Sequence, residues 1–571
     1  MQNNSKLRRN PQALFLLLAA SLASPLQVYG PVSTRRAVPF AQHISLPGST
    51  PRIRKRAMNE TNIGIASATL ATDGQSYYSI IDVGGMNFRV ALDTASSDLW
   101  LASSACTTET CNAVPRYPLS YESPSFAAVN GNQTAFNASY ADGTSSNGFV
   151  ARERVTLANL TIADQTLGII TDSNVTLTDR TTGLLGLGFP RLSGVNQTVT
   201  NSTPFLVNLA QRGLLEYPLF GLHLTRNTSG TISIGAIDAS VVMQPANISW
   251  NPVVQFAPFA SESNVSSYLQ WAIPLGGFSV NHTQLAPMPT YTNVTNNMSI
   301  ALIDIGTPGL YGPFQDVSRL FSLIDGARLV DSSGQWAIPC DTSVPISFTF
   351  GGVNYDLQPY EYIVGPAAGN PNLCLSWPMA APPSADGIDW QIGANFLRSV
   401  YSIFSYGINR KEPPMIGFYS LRNQTAASSP VDAVSSIFEI ISGISTVATT
   451  LPNFPLPTPT FTTPPYAFNT SVPTSNGGIV SAGLATSTYR PILGGPGAVN
   501  ASAIPTISPK PVLQTLIMTD AQGLLTTSTK TLEEPTVTLA LPPGWNAASS
   551  RHVDSFAVLF VFALSCVWVV L

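Results

Sequence analysis

Two similar segments constrain the fold of this chain more than any other feature of its sequence. Residues 90–100 read Val-Ala-Leu-Asp-Thr-Ala-Ser-Ser-Asp-Leu-Trp, and residues 300–311 read Ile-Ala-Leu-Ile-Asp-Ile-Gly-Thr-Pro-Gly-Leu-Tyr. In each, an apolar strand-like run ends in an Asp, Asp93 or Asp304, and continues with a small residue and a hydroxyl. An apolar–Gly element follows about 90 residues after each Asp, at 184–186 and 392–393. A repeat array needs three or more units, so two matched halves predict a duplicated, two-lobed fold.

The local pattern around these segments predicts an all-β domain. From about residue 57 to 421, short β-type runs such as 77–83, 88–92 and 231–234 alternate with turns rich in Gly, Asn, Asp and Ser. From about 423 to 545 Pro, Ser and Thr dominate, a composition that cannot bury enough apolar surface to offset its ordering entropy. We expect a disordered, O-glycosylated stalk there, with an apolar run at 431–447 that is compatible with a short helix.

The N-terminus has the pattern of a secretory signal peptide. Lys6, Arg8 and Arg9 precede an apolar run at residues 13–23, which is shorter than the roughly 20 residues that span a bilayer. An N-terminal core helix is the alternative. A basic segment ending in Lys55-Arg56 then predicts a processing site, although a solvated charge run would look the same. We therefore expect residues 24–56 to be a propeptide.

The C-terminus has the pattern of a glycosylphosphatidylinositol (GPI) attachment signal. An apolar tail at residues 556–571 carries no basic residue after it, and a polar spacer at 549–555 precedes it. The small-residue run that starts at Asn546 comes before the spacer, which predicts Asn546 as the attachment site. A plain tail anchor is the alternative. Of the five cysteines, Cys566 lies in this tail, so four remain in the predicted mature chain.

Composition excludes nucleic-acid binding and points to glycosylation. Only 10% of residues are charged, against about 25% in ordinary soluble domains, and the net charge is −4 with no Lys/Arg-rich face. Sugars would solvate so charge-poor a surface. Sixteen N-x-[ST] sequons between residues 59 and 500 predict glycans at Asn59, Asn132, Asn137, Asn159, Asn174, Asn196, Asn201, Asn227, Asn247, Asn264, Asn281, Asn293, Asn297, Asn423, Asn469 and Asn500.

Two matched aspartates suggest a catalytic pair, whereas one alone would be a turn or capping residue. If the lobes pack about a pseudo-two-fold axis, Asp93 and Asp304 meet. Carboxylates about 3 Å apart cannot both ionise readily and share one proton. One then draws a proton from a water molecule while the other donates to a substrate carbonyl, without a covalent intermediate. The titration belongs to the pair, so we assign no separate acid and base.

The motifs 93–96 (Asp-Thr-Ala-Ser) and 304–307 (Asp-Ile-Gly-Thr) resemble the two Asp-Thr-Gly-Ser/Thr motifs of pepsin-like aspartic proteases. The resemblance spans about residues 77–421 and is closest in character to fungal GPI-anchored, yapsin-like members. Further segments match in order: 96–100, the six-residue loop 106–111, the flap-like 139–144, the Gly-rich 183–188, the 340/374 cysteines, 390–398 and 416–418.

The resemblance implies an all-β, bilobal fold with pseudo-two-fold symmetry and a set of site residues. Asp93 and Asp304 would be catalytic, and Tyr140 would lie on a flap with its hydroxyl near the Trp100 indole. Ser96 and Thr307 would bond the outer carboxylate oxygens, beside Thr94 and Gly306. It also implies the disulfides Cys106–Cys111 and Cys340–Cys374. Asp142 on the flap would pair with a substrate Lys before the scissile bond; an ordinary turn Asp is the alternative.

Four positions depart from the family pattern. Ala95 replaces a Gly, and its methyl group would press on the dyad or disturb a backbone donor. Ile305 replaces a Thr whose hydroxyl reaches the opposite loop, so half of that cross-brace is absent. Pro308 and Ala394 replace a residue that often contacts substrate backbone and a common Asp. Active sites tolerate little misplacement, so an inactive binding or cell-wall glycoprotein is the alternative function.

The resulting hypothesis is a secreted, cell-surface aspartic endopeptidase that works at acidic pH without a metal or other cofactor. No His-Glu-x-x-His zinc motif is present. We expect peptide or protein substrates, a monomer, and attachment to the plasma membrane through a GPI anchor or to the cell wall. The predicted organisation is signal peptide 1–23, propeptide 24–56, N-terminal lobe 57–243, C-terminal lobe 244–422, stalk 423–546 and attachment signal 547–571.

Overall fold

The computed structural model describes most of the two predicted lobes and parts of the region beyond them. The described residues are 62–422, except 227–228, 257–267, 368–369, 383 and 385, and then 451, 453–457, 468–469, 480, 489–493, 500–509, 513–519, 525–531 and 537–543. The predicted signal peptide, propeptide and attachment signal lie outside the described residues, as does Asn546.

Strands dominate the described residues, as the alternating sequence pattern predicts. In the first half they are β1 Gly64–Leu70, β2 Tyr77–Val83, β3 Met86–Asp93, β4 Leu99–Ala102, β5 Ala127–Ala128, β6 Ala135–Ser139, β7 Ser145–Leu157, β8 Leu160–Ser173, β9 Thr181–Gly186, β10 Leu219–His223, β11 Gly230–Ile234 and β12 Ile237–Asp238. In the second half they are β13 Ser249–Pro252, β14 Gln255–Phe256, β15 Ala272–Leu275, β16 Gly277–Val280, β17 Thr283–Leu285, β18 Ser299–Ile303, β19 Leu310–Pro313, β20 Arg328–Leu329, β21 Trp336–Pro339, β22 Ile346–Phe350, β23 Val353–Leu357, β24 Ile363–Ala367, β25 Asn370–Ser376, β26 Met379–Ala381, β27 Trp390–Ile392, β28 Val400–Ser405 and β29 Met415–Ser420.

Helices are short and connect the strands. They are α1 Glu109–Asn112, α2 Gly194–Thr198, α3 Phe205–Gln211, α4 Phe314–Phe321, α5 Pro359–Tyr362 and α6 Ala394–Leu397, with 3-10 turns at Val129–Asn132, Pro190–Leu192, Pro245–Asn247 and Ala501–Ala503. No described helix is long and apolar enough to cross a membrane.

The two halves repeat the same strand arrangement around each aspartate. In the first, β9 lies between β3, to which it is parallel, and β4, to which it is antiparallel. In the second, β27 lies in the same way between β18 and β19. The glycines that end this threading strand leave no room for a side chain: a Cβ on Gly186 would lie 2.4 Å from the Ser97 carbonyl carbon, and one on Gly393 2.2 Å from the Thr307 oxygen. The duplicated, bilobal fold predicted from the sequence is therefore present.

A shared sheet and an aromatic cluster join the halves. The sheet order β13-β29-β28-β10-β11-β1 takes three strands from each half, and β10 pairs with β28 at the junction. Beside it, rings from both halves pack together: Phe189, Phe220, Trp271, Phe404 and Tyr406. The Trp271 indole and the Tyr406 hydroxyl both donate to the Leu187 carbonyl oxygen, at 3.1 and 2.8 Å.

Both disulfides implied by the resemblance are formed. Cys106 and Cys111 close a loop across α1, and Cys340 joins Cys374 between β21 and β25.

Parts of the predicted stalk are folded onto the lobes. The described strands there are β30 Phe468–Asn469, β31 Thr506–Ile507, and the hairpin β32 Leu513–Thr519 with β33 Leu525–Thr531. β30 pairs with β14 and β31 with β12. Val480, Tyr489 and Leu493 are buried. The segments at 468–469, 480, 489–493 and 506–507 differ from the expected extended chain because they contact the lobes, through strand pairing or through apolar side chains that are buried there.

Candidate active site

The ends of two buried strands bring Asp93 and Asp304 together. Asp93 ends β3 and Asp304 follows β18, and their side chains are only 8% and 5% exposed. The loops after them are equivalent: the Ala95 amide donates to Asp93 Oδ1 and the Gly306 amide to Asp304 Oδ1, each at 2.8 Å. A Cβ placed on Gly306 would lie 2.6 Å from Asp93 Oδ1 and 3.3 Å from Asp304 Oδ1, so both carboxylates adjoin the same point. The structure thus unites the two residues that lie about 210 positions apart in the sequence.

Thr94 braces the two loops from one side only. Its hydroxyl lies 3.0 Å from the Ile303 carbonyl oxygen and 3.3 Å from Asp304 Oδ1, and it accepts the Ile305 amide at 3.0 Å. Ile305 occupies the equivalent place on the other loop, where its side chain is fully buried in the apolar core. These hydrogen bonds between the two loops therefore come from the Thr94 hydroxyl, and the Ile305 side chain adds none.

The hydroxyls beside the outer carboxylate oxygens differ between the two loops. Thr307 Oγ1 donates to Asp304 Oδ2 at 2.6 Å. Ser96, its counterpart, lowers the pKa of Asp93, yet its buried Oγ makes no hydrogen bond of ordinary geometry with any described residue.

Burial and charge favour a proton on Asp93. Desolvation first, and the negative charge of Asp304 second, raise the pKa of Asp93 to about 7 from an ordinary 3.8. The nearby Ser96 hydroxyl and the Ala95 amide, which donates to Asp93 Oδ1, oppose this shift and do not overcome it. Asp93 therefore keeps its proton in solutions more acidic than about pH 7.

A hairpin built from β6 and β7 presents Tyr140. The turn closes through bonds between Tyr140 and Thr144 backbone atoms, at 2.9 Å, and from the Gly143 amide to the Tyr140 oxygen, at 3.0 Å. The Trp100 indole donates to the Tyr140 hydroxyl at 2.7 Å, as the resemblance implies. Burial raises the pKa of Tyr140, and the negative charge of Asp93 adds to this shift.

Asp142 lies exposed at the turn of this hairpin. Its Oδ1 accepts the Thr144 amide at 2.9 Å and the Thr144 hydroxyl at 2.7 Å. This is the arrangement of a turn aspartate. Asp142 also lies on the flap, so the predicted pairing of its carboxylate with a substrate Lys can be tested by substitution.

The departures from the family pattern leave the backbone of the site intact. The Ala95 amide keeps its bond to Asp93, and its methyl group packs on a cluster that includes Val254 and Leu302, so the expected disturbance of the donor is wrong. Gly306, which keeps the glycine of the family pattern, is confined, since a Cβ there would lie 2.6 Å from Asp93 Oδ1. Ala394 is fully buried and its amide donates to the Thr307 oxygen at 2.8 Å.

The structure adds one element that the sequence patterns did not reveal. The Leu187 amide donates to the Asp93 carbonyl oxygen at 2.7 Å, and the Leu187 oxygen is held in turn by Tyr406. A tyrosine directly after the apolar run 400–405 was the available signal, because a buried Tyr usually needs a partner for its hydroxyl. Among the described residues no group of three or more His, Cys, Asp or Glu could hold a metal ion.

This fold and this pair of loops define a pepsin-like aspartic protease, and comparison with known proteins agrees. The family model described as "Eukaryotic aspartyl protease" matches residues 76–412, more than half of the chain. The chain therefore belongs to the eukaryotic aspartyl protease family and is an aspartic-type endopeptidase, a hydrolase.

Similar proteins come from fungi and animals. An aspartic protease of Phaffia rhodozyma is 30% identical over 334 residues, 57% of this chain and 73% of that protein. Major aspartyl peptidase 1 of Cryptococcus neoformans var. grubii is 29% identical over 394 residues, 66% of this chain and 74% of that protein. Cathepsin E of Aquarana catesbeiana is 28% identical over 354 residues, 60% of this chain and 80% of that protein.

Proposed function

We propose that the chain hydrolyses peptide bonds at acidic pH with Asp93 and Asp304 as its catalytic dyad. The observation that carries this proposal is the equivalence of the two loops, in which each carboxylate accepts the amide two residues on and both are almost fully buried. Burial strengthens the electrostatic effect of each group on the reacting atoms.

The distribution of hydrogen bonds supports a division of labour within the pair. Asp304 accepts from Gly306, Thr307 and Thr94, which suits a carboxylate because a carboxylate accepts and cannot donate. Asp93, with its raised pKa, holds the proton in acid. A water molecule between them gives a proton to the Asp304 carboxylate and attacks the carbonyl carbon of the substrate. The carbonyl oxygen receives the Asp93 proton. Collapse of the tetrahedral intermediate returns a proton to the leaving nitrogen and restores the pair.

The flap contributes cover and, in this proposal, selectivity. Tyr140, held by Trp100, excludes water from the pair when the flap closes. Asp142, exposed at the flap turn, supplies a negative charge that favours a Lys immediately before the scissile bond.

The experiment uses the full chain after propeptide removal. Cleavage of a peptide library between about pH 3 and 7 should be abolished by pepstatin and should fall at least about 10³-fold in Asp93→Asn and in Asp304→Asn. Asp325→Asn, which alters an exposed aspartate, is the matched control and should retain wild-type activity. Activity that survives either dyad substitution would overturn the assignment.

We propose further that the enzyme is secreted and attached to the cell surface by a GPI anchor at Asn546. Its basis is the sequence pattern at both ends. Consistent with it, every sequon Asn whose side chain is described is exposed: Asn132, Asn137, Asn159, Asn174, Asn196, Asn201, Asn247, Asn281, Asn293, Asn297 and Asn500. Phosphatidylinositol-specific phospholipase should release the protein from cells. Retention after treatment, together with extraction by detergent alone, would favour the plain tail anchor.

A further inference from the structure

One of the further buried carboxylates of this molecule, Glu412, lies away from the residues that surround the dyad. Glu412 has no exposed surface. Its Oε1 accepts the Tyr217 hydroxyl at 2.6 Å, and its Oε2 accepts the Leu493 amide at 2.8 Å. The Tyr217 oxygen in turn accepts the Ile492 amide at 3.1 Å. A buried carboxylate is costly unless it is hydrogen-bonded, and here one of its donors comes from beyond the second lobe.

The docking segment, defined as residues 489–493, fits this place through side chains as well as backbone. Tyr489 is 3% exposed, and its hydroxyl lies 3.2 Å from the Ala210 oxygen and 3.0 Å from the Leu215 oxygen. Its ring meets the Tyr217 ring edge-on at 6.3 Å. Leu493 is fully buried, whereas Arg490 and Pro491 are exposed. The segment therefore has an inner face that belongs to the protein core and an outer face in solvent.

Glu412 ends a turn of the second lobe, residues 408–412, and a second contact from the predicted stalk holds this turn. The Ile408 amide donates to the Glu412 oxygen at 2.8 Å, which closes the turn 408–412. The Asn409 amide donates to the oxygen of Val480, a fully buried residue that bridges to Ile408. The turn is thus fixed on both sides by chain from the predicted stalk.

This turn follows closely after Tyr406, which is hydrogen-bonded to the segment that holds Asp93. Tyr406, two residues before Ile408, donates to the Leu187 oxygen at 2.8 Å, and the Leu187 amide donates to the Asp93 oxygen at 2.7 Å. Contiguous hydrogen bonds between rigid elements can transmit a change in position from one site to another.

We propose that the docking segment is a positioning element for the catalytic dyad, acting through Glu412 and Tyr406 on the loop that carries Asp93. Glu412, Tyr489 and Leu493 are the positioning residues. The idea rests on the proposed function, because it assigns to this contact an effect on catalysis. It gives part of the predicted stalk a role inside the enzyme rather than between the enzyme and its anchor.

The test uses the full chain with Leu493→Ala, Tyr489→Phe and Glu412→Gln. Arg490→Gln, in the exposed part of the same segment, is the matched control, and Leu493→Met is the conservative rescue. Amide hydrogen exchange at residues 492 and 493 reports docking, and kcat and KM on a pepstatin-sensitive peptide are measured where near-ultraviolet circular dichroism shows each variant folded.

In Leu493→Ala and Glu412→Gln we expect loss of amide protection and a fall in kcat of roughly 2- to 30-fold with little change in KM. Leu493→Met and Arg490→Gln should behave as wild type. If Leu493→Ala does not accumulate as folded protein, Tyr489→Phe replaces it, because it removes only a hydroxyl. Its amide protection and kcat are then compared with those of the wild type.

Two results would overturn the proposal. Lost protection with unchanged kcat would show a merely structural contact, and unprotected amides in the wild type would show no docking. If the wild type shows no pepstatin-sensitive cleavage, the proposed function fails and the positioning role fails with it. Hydrogen exchange still reports the docking itself in that case.

Discussion

Thr94 and Ile305 hold equivalent places in the two active-site loops, but only one of them can form a hydrogen bond through its side chain. The Thr94 hydroxyl has one hydrogen, which it shares between the Ile303 oxygen and Asp304 Oδ1, and it accepts the Ile305 amide. Ile305 contributes buried apolar surface instead. The contact between the loops is therefore polar at Thr94 and apolar at Ile305. The Ala95 and Gly306 amides still donate to the two carboxylates.

The raised pKa of Asp93 predicts how the stability of the protein depends on pH. The folded-state pKa is about 7 and the ordinary value 3.8, so the folded state binds this proton more tightly. The associated stability is fully present below about pH 3.8 and is lost as the pH rises through about 7. Asp93→Asn has no charge to bury and should exceed the wild type in free energy of unfolding by on the order of 4 kcal/mol near pH 7.5, with the difference vanishing near pH 3.5.

Thermal unfolding of both proteins from pH 3.5 to 7.5 checks this prediction. Asp325→Asn, at an exposed aspartate, should follow the wild type at every pH. A difference between Asp93→Asn and the wild type that stays constant with pH would contradict the origin assigned to it.

At the scale of elements, the flap combines a buried contact and an exposed charge in one hairpin. Tyr140 is fixed by Trp100, while Asp142, two residues on, accepts twice from Thr144. The turn geometry and the proposed charge role use the same side chain. A substitution that keeps the acceptor and removes the charge separates them.

Asp142→Asn is that substitution, because the amide oxygen can still accept from Thr144. Exposed ion pairs contribute about 0.2–1 kcal/mol, so kcat/KM for a peptide with Lys before the scissile bond should fall by up to about fivefold. The matching peptide with Leu should be cut as before. Thr144→Val, which disturbs the turn alone, should affect both peptides alike; equal losses for both in Asp142→Asn would leave Asp142 as a turn residue.

Local sequence sufficed for the elements whose conformation depends on near neighbours. The two strand–Asp segments, the threading strands at 184–186 and 392–393, the flap and both disulfides follow motifs that can be read along the chain. The docking segment could not be read in this way. Its stretch contains Pro491 and nearby glycines and indicates extended chain, and the partners of Tyr489 and Leu493 lie about 80 to 280 residues away. For the same reason no local pattern marked Glu412 as buried.

At the scale of the whole molecule, polar bonds that involve side chains and backbone tie the halves together at several places besides the shared sheet. Near the dyad, Trp271 and Tyr406 of the second half hold Leu187 of the first. Elsewhere, Glu361 accepts from Arg398 at 2.7 Å, both nearly buried, and from Arg226 of the first half at 3.2 Å. The two carboxylates of the dyad come one from each half, so these ties help to set the spacing between them.

The last described segment, residues 537–543, lies against the turn between β2 and β3. The Ala540 amide donates to the Asn87 oxygen at 2.9 Å, and the Pro543 ring is close enough to Gly85 that a Cβ there would lie 3.0 Å from it. An anchor at Asn546, as proposed above, would leave three residues beyond Pro543, about 10 Å of extended chain. The first-lobe β2–β3 corner would then lie within roughly 10 Å of the glycan of the anchor, with this side of the enzyme turned toward the membrane. Its reach would be limited to proteins of its own membrane or those that come within a few nanometres of it.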